Sequence, residues 1–335
     1  MDFSALPKIE LHLHLDCSLS YLVVSRLKPE ITFEEFRRSF VAPPKCSDLA
    51  DFIARASRGI ELMQNREALR LVVLDLLDQL RADNVLYAEI RFAPLLHTAG
   101  GLRPADVVQA VADALQEGMT ETGVRASLIL CTLRHYSAAQ SMETVQLVEQ
   151  FAGSPVAGFD IASDEAGFPI DAHIAAFQYA RANGIPCTAH AGEARGADSV
   201  WETLRHFQPR RIGHGVRSVE DPDLVAYLIK ENIHLEICPT SNIQTNVFAR
   251  MEEHAADSLF SAGVSMSINT DGRTIADVTL NAEYQTLHRV FGWDKTHFLK
   301  CNLEAIAHAF VPQAVKTILR EKLSKGYGLP PGSTG

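Results

Sequence analysis

The stretch Ile9-Glu10-Leu11-His12-Leu13-His14-Leu15-Asp16 decides how this chain is read. Apolar residues alternate with Glu10, His12, His14 and Asp16. In an extended strand the apolar side chains therefore share one face and the polar ones the other. The run ends on Asp16 and not on a glycine-rich turn. An open, doubly wound sheet that binds a dinucleotide would place such a turn after its first strand, and Gly213-His214-Gly215 is too short to serve as one. A strand ending in polar side chains suits a (β/α)8 barrel, whose chemistry gathers at the C-terminal ends of its strands.

Working outward, eight β-rich runs can be placed, at 9–16, 85–93, 126–134, 156–162, 186–191, 211–216, 234–239 and 265–271. Helical patterns separate them. Residues 66–84 carry Leu69, Val72, Val73, Leu76, Leu77 and Leu80, a stripe at i, i+3 and i+4 spacing. The segment 104–121 opens on Pro104 and is followed by Gly123, the usual start and stop signals. Further helices are expected at 198–207, 221–231 and 253–262. This alternation predicts a TIM (β/α)8 barrel over residues 1–328 as one catalytic domain. The stretch between the first two strands is too long for one crossover. Extra helices are expected there, so that 17–84 forms in part a lid over the barrel mouth. Residues 329–335 read as a flexible tail.

Composition narrows the function. Of 335 residues 47% are hydrophobic and 21% charged, ordinary for a soluble globular protein. The net charge of −10 disfavours a nucleic-acid partner. No run of about 18 apolar residues suggests a membrane span, and the first residues lack the basic and apolar regions of a signal peptide. None of the six cysteines forms a C-x-x-C pair, and several lie in apolar runs, which favours buried thiols in the cytoplasm.

The unusual polar residues fall at predicted strand ends: His12 and His14 on the first, His190 on the fifth, His214 on the sixth and Asp271 on the eighth. One histidine in a strand is more often a hydrogen-bonded core residue than a ligand. Imidazoles from three separate strands plus a carboxylate fit a zinc site. Glu193, three residues after His190, suits a general acid or base, or alternatively a carboxylate at a helix start. His135 is placed near the mouth. Most of His97, His173, His206, His254, His288, His297 and His308 are expected at the surface.

These residues resemble the adenosine deaminase family. The resemblance rests on the opening strand Pro7–Asp16 quoted in part above, on His190-Ala191-Gly192-Glu193, on Arg211-Ile212-Gly213-His214-Gly215, on Glu236-Ile237-Cys238-Pro239-Thr240-Ser241-Asn242 and on Ser267-Ile268-Asn269-Thr270-Asp271. It implies a TIM barrel and one zinc ion held by His12, His14, His190 and Asp271. Glu193, His214 and Asp271 take catalytic roles: Glu193 protonates ring N1, His214 supports the attacking hydroxide and Asp271 accepts its proton. His14, Asp16, Ser163 and Gly272 contact the substrate, with Asp16 on the ribose 5′ hydroxyl. The activity implied is deamination of a purine nucleoside, adenosine to inosine. Adenine and 6-aminodeoxyfutalosine are alternative substrates, and a silent purine-binding relative is a third reading. The Cys-rich signature of cytidine-type deaminases and the lysine of binuclear relatives after strand four are both missing.

Three positions depart from the family pattern. Gly272 stands where a second Asp, contacting purine N7, often follows Asp271. Ser163 and Cys17 stand where glycines are usual. Arg273 is expected either to meet a carboxylate-bearing substrate or to pair with Asp277.

Overall fold

The computed structural model describes residues 2–329. Eight parallel strands follow one another: β1 (Lys8–His14), β2 (Val85–Phe92), β3 (Arg125–Leu133), β4 (Val156–Ala162), β5 (Thr188–Ala191), β6 (Arg211–His214), β7 (His234–Ile237) and β8 (Met266–Ile268). They pair in chain order as two four-stranded halves. The halves meet at single bridges, Phe159 with Cys187 and Leu13 with Asp271. The His14 N–H donates to the Asp271 carbonyl and the Asp271 N–H to that of His12, which closes the barrel. The expected strands are all present; β6 to β8 end earlier than expected, where their last residues turn toward the site, and β5 starts later, at Thr188.

The expected helices are also present, including Arg66–Ala82 and Pro104–Thr122. Leu69, Val72, Val73, Leu76, Leu77 and Leu80 are buried, as the stripe requires. Gly123 ends the second helix at φ 75°, a left-handed cap that glycine adopts without a Cβ clash. Between β1 and Arg66 lie four short helices, Tyr21–Leu27, Phe33–Ser39, Leu49–Ile53 and Ala56–Leu62. Of the tail expected at 329–335, residues 330–335 lie outside the described residues.

The barrel interior is charged as well as apolar. Arg91 on β2 reaches Asp160 on β4 and Glu236 on β7, each at 2.7 Å. Arg211 on β6 reaches Glu89 at 2.6 Å and Glu236 at 2.7 Å. All five side chains are fully buried. Removing one partner of such a set leaves an uncompensated buried charge, at a cost of about 3–5 kcal/mol.

The surface expectation for the loop and helix histidines is overturned. His97, His173 and His254 are buried, and of the seven only His206 is exposed. Their positions lie under neighbouring segments, which local sequence pattern does not report.

Candidate active site

The strand-end residues converge. Ligand atoms of His12, His190, His214 and Asp271 all lie within 4.8 Å of one another. His14 joins them, its Nε2 3.2 Å from His190 Nε2 and 3.4 Å from Asp271 Oδ1. His12 Nε2 is also 3.4 Å from Asp271 Oδ1.

Neighbours fix what each ring presents. His12 Nδ1 lies 2.9 Å from Glu236 Oε2, and His190 Nδ1 lies 3.1 Å from Asp160 Oδ2. A carboxylate accepts, so each Nδ1 carries a proton and each Nε2 presents a lone pair to the centre. His12 Nε2 is buried with no hydrogen-bond partner among the described residues. Burial pushes the His14 and His190 pKa values down, favouring neutral rings. Neutral imidazole lone pairs and a carboxylate oxygen converging on one point are a donor set suited to zinc.

His214 differs from the other rings, and a chain of hydrogen bonds shows why. The Ala256 backbone N–H donates to His254 Nδ1 at 3.0 Å. His254 therefore carries its proton on Nε2 and donates to Asn242 Oδ1 at 3.2 Å. The Asn242 amide then donates to His214 Nδ1 at 3.1 Å. His214 is left with an Nε2–H directed into the site, 3.5 Å from Glu193 Oε2. It is arranged to donate a hydrogen bond and not to ligate. Asp271 is anchored by the Ser241 hydroxyl at 2.7 Å on Oδ2, which leaves Oδ1 for the centre.

Glu193 sits on the turn after β5. Glu165 holds that turn by accepting from the backbone N–H groups of Gly192, Glu193 and Arg195 at 2.8, 3.0 and 2.9 Å. Glu193 Oε1 is buried without a hydrogen-bond partner among the described residues. Burial first, and the nearby Asp271 carboxylate second, raise the Glu193 pKa well above the usual carboxylate range. A carboxyl in this setting holds a proton that it can give away. His214, Asp271 and Ser163 have φ values of 60°, 63° and 86°. Non-glycine residues in this region each cost about 1–3 kcal/mol, a strain that collects at functional sites.

A cavity of about 320 Å³ opens over the cluster. Its floor is His14, His190, Glu193, His214 and Asp271, and Asp16, Cys17, His135 and Ser163 line its walls. Leu49, Phe52, Ile53 and Ile60 from the short helices also line it. Burial pushes the Asp16 carboxyl up to about 6, and His97 Nε2 lies 3.9 Å behind it. Two expected positions are not on the wall: neither Gly272 nor Arg273 lines the cavity. Both expectations for Arg273 fail. Its guanidinium is buried on Glu10 at 2.8 Å and Asp83 at 2.9 Å, while Asp277 pairs with Arg37 at 2.7 Å.

Sequence reasoning gave no role to Asp160, Glu165, Glu236, Ser241 or Asn242. Asp160 and Glu236 carried a signal: each is a lone acid in an apolar strand. Ser241 and Asn242 lay inside a motif whose other members drew attention first.

The sequence pattern of the adenosine deaminase family matches residues 7–326. The chain belongs to the adenosine deaminase family. It is 35% identical to the adenosine deaminase of Lacticaseibacillus casei, an alignment covering 98% of this chain and 99% of that one. Among solved structures it resembles the adenine deaminase of Arthrobacter aurescens at 26% identity and a TM-score of 0.88, covering 96% and 98% of the two chains. It also resembles the N6-methyl-AMP deaminase of Arabidopsis thaliana at 25% identity and a TM-score of 0.84, covering 96% and 97%. Membership carries a reaction class, hydrolysis of a C–N bond by a metal-dependent aminohydrolase. Among the described residues no helix is long and apolar enough to cross a membrane.

Proposed function

We propose that this protein is a zinc-dependent deaminase of an uncharged purine nucleoside, converting adenosine to inosine and ammonia in the cytoplasm. The observation that carries the reading is the convergence of His12, His14, His190, His214 and Asp271 beneath one cavity, with the buried carboxyl of Glu193 on its floor. His12, His14, His190 and Asp271 would hold one zinc ion, which supplies a hydroxide nucleophile at neutral pH when bound. Glu193 binds ring N1 and donates its proton there, leaving C6 electron-poor. His214, held by Asn242, donates a hydrogen bond to the attacking oxygen. Asp271 takes up the proton that this oxygen loses. The 6-amino group leaves as ammonia once protonated, and the net reaction consumes one water.

Charge selects the substrate. Among the described residues no Lys or Arg lines the cavity. A phosphate or carboxylate on the substrate would be buried there without compensation. This disfavours nucleotides and 6-aminodeoxyfutalosine, and Arg273 offers no rescue because Glu10 and Asp83 engage it. Asp16, on the wall between the cluster and the mouth, suits a ribose hydroxyl. The segment 17–84 acts in part as an apolar lid through Leu49, Phe52, Ile53 and Ile60. Six free cysteines agree with a reducing compartment.

The test is a turnover panel on protein of measured zinc content, following the loss of adenine-band absorbance. Adenosine is expected to react with higher kcat/KM than adenine, AMP or 6-aminodeoxyfutalosine. Zinc-loaded protein that turns over none of these would remove the enzyme reading and favour a silent purine binder.

A further inference from the structure

Two departures from the family pattern, Cys17 and Gly272, are one feature in space. A Cβ built on Gly272 would lie 2.7 Å from the Cys17 Cβ and 3.2 Å from the Cys17 carbonyl oxygen. Gly272 is not in the left-handed region, so space and not backbone conformation requires the glycine. Cys17 cannot retreat, because its carbonyl accepts from the N–H groups of Thr274 at 3.0 Å and Ile275 at 3.3 Å. Only one of the two positions can carry a side chain. Here it is Cys17, and its thiol lines the cavity beside Ile275 while its S–H turns to Asp16 Oδ1 at 3.5 Å.

The site's topology says which part of the substrate meets that wall. Strands β1 and β5 lie four apart in a ring of eight and so face each other across the barrel. Glu193 follows β5, while Cys17 and Gly272 follow β1 and β8. In a purine, C6 has N1 on one side and C5, bonded to N7, on the other. With C6 over the cluster and N1 at Glu193, the N7 edge points toward Cys17. We propose that Cys17 is a specificity-determining residue: it shuts position 272 out of the pocket and gives the N7 edge a sulfur already engaged with Asp16, so that the site does not read position 7. The site should accept rings bearing N or C–H there almost equally. This inference rests on the purine reading above.

The test uses two nucleosides that lack N1 and therefore bind without turning over, 1-deazaadenosine and 1,7-dideazaadenosine, titrated calorimetrically into the zinc-loaded protein. The wild type is expected to bind them with affinities within about threefold of each other. The double variant Cys17→Gly with Gly272→Asp should prefer the N7-bearing ligand by about tenfold, the scale of one hydrogen bond. The steric half is read by melting. Gly272→Ala should lower the melting temperature by about 4 °C or more, and Cys17→Gly in the same chain should restore it. A tenfold preference for the N7-bearing ligand in the wild type, an unshifted ratio in a folded double variant, or a Gly272→Ala that melts normally would each overturn the inference. If the double variant does not fold, the wild-type ratio and the Gly272→Ala pair decide. Failure of the wild type both to turn over adenosine and to bind either nucleoside would overturn the purine reading itself, a result distinct from binding with the wrong ratio.

Discussion

The barrel carries a histidine and carboxylate cluster at each end, and the two are built from the same residue types. At the C-terminal end stand His12, His14, His190, His214 and Asp271; at the N-terminal end stand His234, Glu304 and His308, also close enough to share an ion. The difference is in their hydrogen bonds. His234 sits between the Ser265 and Ser267 hydroxyls at 2.9 and 3.0 Å, and the His308 nitrogens lie against the Glu304 and Asn232 carbonyls at 2.9 and 3.3 Å. The two rings stack 4.6 Å apart at 17°. At the other end His12 Nε2 has no hydrogen-bond partner among the described residues, and the remaining rings aim inward. A buried lone pair without a proton to accept is costly unless something else occupies it. Residue type alone therefore does not mark a metal site; unspent lone pairs do.

The sharpest way to break this comparison is to delete one histidine from each end. His190→Ala is expected to lose bound zinc and bring turnover to background, because three donors with an open face hold the ion poorly. His234→Ala is expected to keep about one zinc per chain. Plasma emission spectrometry on the purified variants reads both, and equal loss from the two would sink the distinction. Next in size is Glu193→Gln, which keeps the shape of the site but cannot give up a carboxylic proton. It should retain zinc and lose about 10²–10⁴-fold in kcat. Near-normal kcat would take Glu193 out of the acid role.

Much of the upper cluster was legible because a strand alternates. His12 and His14 two residues apart must share a face, and barrel closure brings β5, β6 and β8 to the same axis. The same alternation holds the support beneath. Glu89 and Arg91 on β2, and Glu236 two residues after His234 on β7, point inward by the rule that placed the histidines. They were passed over because a charge inside an apolar strand looks like an interruption until its partner on another strand is known. The Cys17 and Gly272 contact was not legible at all, since sequence shows which residues differ but not that their side chains compete for one space. Buried His254 was misread for a related reason: its burial comes from neighbouring segments and not from its own.

His254 allows a smaller test of how the upper end is held. Asn242→Leu cuts the chain from His254 to His214 without removing a residue of the cavity floor. Zinc content should be unchanged and kcat should fall about tenfold, the worth of one well-aimed hydrogen bond near a reacting group. A matching loss of zinc would mean that Asn242 supports the metal and not the orientation of His214.

Acid should separate the partnered ring from the solvent-exposed ones. Burial lowers the His254 pKa to about 3, whereas in the unfolded chain it is near the ordinary 6.5. Below about pH 6.5 the unfolded state binds a proton that the folded state refuses. His254 therefore costs stability as pH falls toward 3, at about 1.4 kcal/mol per pH unit. Replacement by Gln should flatten the melting temperature between pH 6 and 4 relative to the wild type; parallel curves would show that the ring charges without unfolding.

The smallest effect is expected at the lower cluster. His308 is partly exposed, and its contacts are to backbone carbonyls that water can also reach. His308→Gln loses the ring stacking on His234 and at most one net hydrogen bond. Stability should fall by about 0.5–1.5 kcal/mol, with kcat, KM and zinc content unchanged. Denaturant unfolding reads the first and the turnover assay the rest. A change in KM would couple the two ends of the barrel, and Arg211 would be the route to examine. Its guanidinium donates to the His308 carbonyl at 3.1 Å and, through Glu236, reaches His12.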